Sequence, residues 1–421
     1  MSTQQKAQNP QDVRKRRVFY IPGYDPMLPR RYRELYRSEA SKQALWSGYG
    51  IELKGKAGKD NYGWSVRTDI DGRRSRADFE FLGWSDIVQK SMNKSIPATY
   101  FMMLHTVWIY LSSGTLLRLA RLRKGPIVAA LFPVVALCAQ LLLGLGLAWA
   151  VAALAGIFIA QWLGWGFGLV FGGLLMRWFK ARDNRIFAYY LLHDYAFSAQ
   201  YYGVNPPALE VRMQEFKTRI AAALSSDADE VLLVGHSSGA HIGASVLADL
   251  LRERPLDSKG PRLAFLSLGQ VIPMVSFLPR ATRLRGDLRF LSQRDDIDWV
   301  DVSAPGDGCS FALCDPVSVS GVAPAEGRKR WPLVFSAAFS ETLSPALFKS
   351  LKRRFFRIHF QYLCAFDRPR DYDYFQITAG PLSLRARYKD RVASRSRIEV
   401  PLSTHRSTDR EDACAIHPAK A

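Results

Sequence analysis

The chain has 421 residues, 48% hydrophobic and 12% aromatic, and an excess of Lys and Arg gives it a formal charge of +20. That length and composition exclude a chain too small or too polar to bury a sizeable core, and they allow one large interrupted domain or two domains. The charge points to an anionic partner, but its groups (Arg14–Arg17, Arg118–Lys124, Arg328–Arg330, Lys352–Arg354) flank or precede apolar segments and carry no aromatic ladder, so a membrane surface is expected and nucleic acid is not.

Residues 1–16 read as a basic tail without an apolar core, so a cleaved secretory signal is not expected. Five cysteines, Cys138, Cys309, Cys314, Cys364 and Cys414, show no C-x-x-C spacing and cannot all pair, which favours a cytoplasmic location for the polar part of the chain. The first strand is expected at Val18–Ile21, in RVFYIPGYDP, within a first globular stretch covering 17–98. The twelve apolar residues of Tyr100–Leu111 are too few to span a bilayer easily, and the segment 99–124 is read as an interfacial or lid helix, with a third span as a minor alternative. His105 within it is read as a polar interruption.

From Gly125 to Met176 there is no charged residue in 52 positions. One span needs about 20 apolar residues, so 125–178 is expected to be a transmembrane hairpin of two helices with a turn near Trp149–Gly156. Gly164, Gly168 and Gly172 recur at four-residue spacing and would admit a close helix neighbour, either the other arm of the hairpin or a second copy of the chain. Arg118, Arg121, Arg123 and Lys124 precede the run and Arg177, Lys180, Arg182 and Arg185 follow it, so both ends should be cytoplasmic.

A second globular stretch is expected over 179–382. In it, EVLLVGHSSGAHIGASVLADLL sets the buried-type run Val231–Val234 against a helix at Ala240–Leu251, joined by Gly-His-Ser-Ser-Gly. A strand that turns into a helix this abruptly forces the central residue into a strained backbone, and the glycines remove the Cβ atoms that would clash with it. Ser237 would then project above the sheet at a helix N-terminus. Further on, Asp298–Ser303 reads as a strand followed by the Pro-Gly-Asp-Gly loop, and 383–421 reads as a polar, flexible tail.

With GHSSG, RVFYIPGYDP and WVDVSAPGDG, the chain resembles the α/β-hydrolases over roughly 17–90 and 185–380. The resemblance implies a mostly parallel sheet interrupted by the hairpin, and a nucleophile, acid and base in that chain order. Ser237 is the expected nucleophile. Only His359, His405 and His417 lie downstream, the last two in the polar tail, so His359 is the expected base. Asp307 is preferred as the acid over Asp295, Asp296, Asp298 and Asp301, with Asp301 in reserve. The oxyanion N–H groups would come from Ser238 and, by similarity to the lipase-type loop, from the Gly23–Tyr24 turn, with Tyr24 as donor.

The expected activity is a serine hydrolase acting on an ester or related acyl bond, of a lipid or a small molecule, beside membrane lipids and without cofactor or metal. An acyltransferase using the same residues, or a membrane scaffold without chemistry, would share these features.

Overall fold

A computed structural model describes residues 12–55, 62–254, 256–257, 259–352 and 354–409. Eight strands form one mixed sheet in the order β2-β3-β4-β1-β5-β6-β7-β8. They are β1 (Lys15–Ile21), β2 (Gly50–Gly55), β3 (Gly63–Ile70), β4 (Arg73–Phe81), β5 (Glu230–His236), β6 (Arg262–Leu268), β7 (Ile297–Ser303) and β8 (Leu333–Ser336). β3 runs antiparallel to both neighbours, and every pair from β4 to β8 is parallel.

The central strands are buried on both faces, and their period of two divides the core. Phe19, Val231, Leu233 and Phe265 pack on one side, while Val18, Tyr20, Leu232 and Val234 pack on the other. The second side is covered by α1 (Pro29–Ser47), which brings in Tyr32, Tyr36 and Ala40. The chain leaves the sheet after β4 and returns at β5. Between them lie α2 (Ser85–Met92), α3 (Ile96–Ser112), α4 (Thr115–Leu122), α5 (Lys124–Ala155), α6 (Gln161–Ala181), the single turn α7 (Asp183–Ile186), α8 (Ala188–Ala199) and α9 (Pro207–Ala223). After β5, α10 (Gly239–Glu253) packs with α9 on the first face. The short α11 (Ile272–Ser276) and α12 (Thr282–Ser292) complete that layer between β6 and β7.

α5 and α6 form a helical hairpin. At 1.5 Å per residue α5 is about 48 Å long and α6 about 31 Å, against the ~30 Å hydrocarbon core of a bilayer. Among the described residues one helix, α5, is both long and apolar enough to cross a membrane. Its turn falls at 156–160, later than the sequence suggested, because the helix runs unbroken to Ala155. The glycine row is occupied within the molecule. A Cβ on Gly168 would stand 2.2 Å from the Ala148 carbonyl, and one on Gly172 2.8 Å from that of Gly144. That face therefore serves the hairpin and is not open to a second copy. The outward faces expose large apolar side chains, among them Leu142, Trp149, Trp162, Trp165, Leu169 and Phe171.

Two other expectations are corrected. Arg16, expected at the end of the basic tail, lies inside β1 and is buried, because its guanidinium is paired with the equally buried Glu230 at 2.5 Å and also donates to the Gly380 and Leu382 carbonyls. Nor is 383–409 a loose tail. Leu384 N–H donates to Glu230 Oε1 at 2.7 Å, Ile398 pairs with Leu313 and Asp315, and Leu402 donates to the Val319 carbonyl. The part of that segment beyond Asp409, with Cys414 and His417, lies outside the described residues.

Removing one partner of a buried ion pair leaves the other charge uncompensated, at a cost of about 3–5 kcal/mol. Arg16→Met should therefore lower the unfolding free energy by that order. In limited proteolysis, cleavage within 383–409 should become the earliest event. An unchanged melting curve and cleavage pattern would contradict this role for the pair.

Candidate active site

At the carboxyl edge of the sheet, β5 ends on His236 and the chain turns at once into α10. Ser237 sits at that turn with φ +57°, a left-handed conformation that is rare outside glycine. The crowding around it explains the local sequence. A Cβ on Gly239 would lie 2.2 Å from the Ile21 carbonyl, and a Cβ on Gly23 would lie 2.9 Å from Ser237 Cβ. The loop after β1 thus passes directly over the serine. It is held there by Trp84 Nε1 donating to the Pro22 carbonyl at 3.0 Å and by the Tyr190 hydroxyl donating to the Tyr24 carbonyl at 2.5 Å.

Asp307 lies four residues past the end of β7, in the Pro-Gly-Asp-Gly loop, and His359 closes the short helix Phe355–His359. The structure brings them together. His359 Nδ1 donates to Asp307 Oδ2 at 2.8 Å, and both side chains are buried. Asp307 also accepts from Tyr362 Oη at 3.0 Å and from the Cys309 N–H at 3.0 Å. Burial alone would raise this carboxyl, but the His359 charge and hydrogen bond, helped by the Cys309 N–H and Ser310, outweigh it and hold it below the usual carboxylate range. A carboxylate so held fixes the imidazole with Nε2 as its free nitrogen.

His359 and Ser237 line one cavity of about 220 Å³. No hydrogen bond joins Ser237 Oγ to His359 among the described residues. The Tyr24 and Ser238 N–H groups likewise make no hydrogen bond among the described residues. The rest of the wall is mostly apolar. It comes from α3 (Val107, Leu111), α8 (Leu191) and, notably, the first turns of α5 (Ile127, Leu131, Val134).

Three residues here were not found by sequence reasoning. His236 donates through Nε2 to the His359 carbonyl at 3.0 Å, and it stays neutral because burial and the His359 charge push it down to about 3. Tyr362 anchors Asp307 and accepts from the Ala304 N–H at 2.9 Å. Asp194, on α8, lines the cavity itself. The flanking position in GHSSG could have flagged His236; nothing local marks the other two.

Asp301, the reserve acid, is inside β7 and turned to β6, where Ser267 Oγ donates to it at 2.5 Å. His405 lies on the packed segment 383–409 and is not among the residues lining the cavity, and neither is His105, which sits edge-on to Tyr202. Asp307, Cys309 and His359 present ligand atoms within 4.8 Å of one another. The carboxylate and imidazole are committed to each other, and burial pushes the Cys309 thiol well above its ordinary value, so a metal would find a protonated sulfur. No protein family, curated protein or solved structure matches the chain.

Burial pushes Asp301 up to about 8. In the unfolded chain it ionises at about 4, so between those values folding must take up a proton and the fold loses stability as pH rises. Asn has no such dependence. Asp301→Asn should accordingly gain melting temperature over the parent at pH 8.5 and show a smaller gain, or a loss, at pH 5. A difference independent of pH would show that Asp301 is ionised in the fold.

Proposed function

We propose that the protein is a membrane-anchored serine hydrolase of α/β-hydrolase type that cleaves an ester or related acyl bond. The observation that carries this reading is the pairing of Asp307 with His359 at 2.8 Å beside a serine held at φ +57°, both His359 and Ser237 facing one cavity.

Ser237 Oγ attacks the carbonyl carbon while its proton passes to His359 Nε2, and Asp307 stabilises the imidazolium that forms. The carbonyl oxygen becomes an oxyanion facing the Ser238 and Tyr24 N–H groups, with the N-terminus of α10 adding its dipole. Collapse breaks the bond to the alcohol, which leaves with the proton from His359. Water then attacks the acyl-serine carbon, gives a proton to His359, and the acid is released as Ser237 recovers its hydrogen.

The substrate class follows from the walls. An apolar cavity bounded by the first turns of α5 suits an acyl chain, and α5 carries it toward the bilayer. We place both α5 and α6 across the membrane, with α3 at its surface through its exposed Phe101, Leu104 and Trp108. Trp149, Trp162 and Trp165 near the tip and Trp178 near the base would then sit at the two interfaces. The basic clusters flanking the hairpin would keep the base and the catalytic domain cytoplasmic.

A fluorophosphonate probe should label the protein on Ser237, and Ser237→Ala or His359→Ala should abolish labelling. Asp307→Asn should fold and lose on the order of 10⁴ in turnover, as orienting carboxylates of such triads do, whereas Asp301→Asn should keep most activity. Equal labelling of the parent and Ser237→Ala would refute the assignment.

Topology has its own test. Phe158→Cys, at the exposed tip of the hairpin, in a background without the native cysteines should react with an impermeant maleimide added outside intact cells. A cysteine at 260 should not. A protected tip on a protein that alkaline carbonate strips from membranes would rule out the two crossings.

A further inference from the structure

The cavity wall carries a carboxyl that has neither a place in the triad nor a partner among the described residues. Asp194 lines the cavity, partly buried, yet makes no hydrogen bond or ion pair among the described residues. The other carboxylate on the wall, Asp25, is fully engaged, accepting from the Tyr32 hydroxyl at 2.6 Å and from the Met27 N–H at 2.9 Å.

The hydroxyls near Asp194 are committed elsewhere: Tyr110 to the Met274 carbonyl, Tyr190 to the Tyr24 carbonyl and Tyr195 to the Pro126 carbonyl. The charge of Asp194 is nonetheless felt at Tyr24, Tyr110, Tyr190, Tyr195, Cys309 and His359, all of which line the same cavity as Ser237. Burial pushes it up to about 7, with His359 pulling the other way. A carboxyl kept unpaired in an apolar cavity is costly to the empty site, and a ligand that brings a donor removes that cost while one without a donor does not. Sites built this way discriminate strongly against analogues lacking the donor.

We infer that Asp194 is a specificity-determining residue: it accepts a hydrogen bond from a donor that the substrate carries beside its scissile bond, a hydroxyl or an ammonium group. This rests on the hydrolase reading of the same cavity. It makes the preferred substrate a partial ester, with an acyl chain against α3 and α5 and a polar donor toward α8, over a simple alkyl ester.

The experiment uses the purified full chain in detergent with three esters of one fatty acid: the glycerol monoester, the 4-aminobutyl ester and the methyl ester. One donor-bearing ester should be favoured over the methyl ester by about tenfold to hundredfold in kcat/KM, the range of a hydrogen bond to a charged group. Preference for the glycerol ester identifies a hydroxyl, and preference for the aminobutyl ester an ammonium group.

Asp194→Leu should bring the ratio close to one. In the parent, the ratio should increase as pH rises through about 7 and the neutral acid becomes a carboxylate acceptor, whereas Asp194→Asn, which keeps an acceptor oxygen, should show no such step. Because both substrates share the triad, the pH dependence of the common chemical step cancels in the ratio. Fluorophosphonate labelling serves as the control. Parent and Asp194→Leu both labelled, with equal ratios, would overturn the role of Asp194; an unlabelled parent would overturn the hydrolase reading and this assignment with it. Asp194→Asn carries the comparison if the leucine variant does not fold.

Discussion

A non-glycine residue in the left-handed region costs on the order of 1–3 kcal/mol, and a fold keeps it only where the surroundings leave no alternative. At Ser237 the surroundings are the ends of two adjacent parallel strands. β1 and β5 are in register, and the Ile21 carbonyl at the end of β1 leaves no room for a side chain at Gly239. The chain leaving β5 must therefore turn sharply into α10, and the Ser237 side chain lies against the loop at Gly23 and on the cavity wall. The helix start, the loop after β1 and the cavity floor all depend on that contact between two strand ends.

The same β1–β5 junction is fastened at its other end. The Arg16–Glu230 pair joins the starts of the two strands and, through Gly380, Leu382 and Leu384, draws the C-terminal part of the chain under the sheet. A misregistered β1 would break the ion pair and displace the loop over Ser237 together. Stability at one edge of the sheet and geometry at the other are thus coupled through one pair of strands, although some seven residues separate the two ends.

On the opposite side of the cavity the constraint is apolar. α5 does two jobs along its length. Its first turns wall the cavity beside Ser237, and the remainder pairs with α6 through glycine and alanine contacts and presents Leu, Phe and Trp outward. One continuous helix therefore links the outward-facing apolar surface of the hairpin to the candidate site, which leaves a carboxyl such as Asp194 conspicuous among its neighbours.

Local pattern was sufficient for much of this. The β-branched run before GHSSG, the uncharged stretch after Gly125 and the turn chemistry around Asp307 are short-range signals, because strand burial, helix hydrophobicity and loop conformation are set within a few residues of chain. They located β1, β5, α10, the hairpin and the loop holding Asp307. His359 emerged by elimination among three histidines, a matter of chain order. What only the tertiary structure decided were the contacts between distant segments: Arg16 buried against Glu230 when it read as tail, residues 383–409 packed when they read as loose, the glycine row of α6 filled by α5, Asp301 turned to Ser267, and Tyr362 and Asp194 brought to the site from unremarkable sequence. Charge and polarity in a sequence describe a side chain's preference in water, and whether it is instead paired, covered or aimed into a cavity depends on what the fold brings from hundreds of residues away.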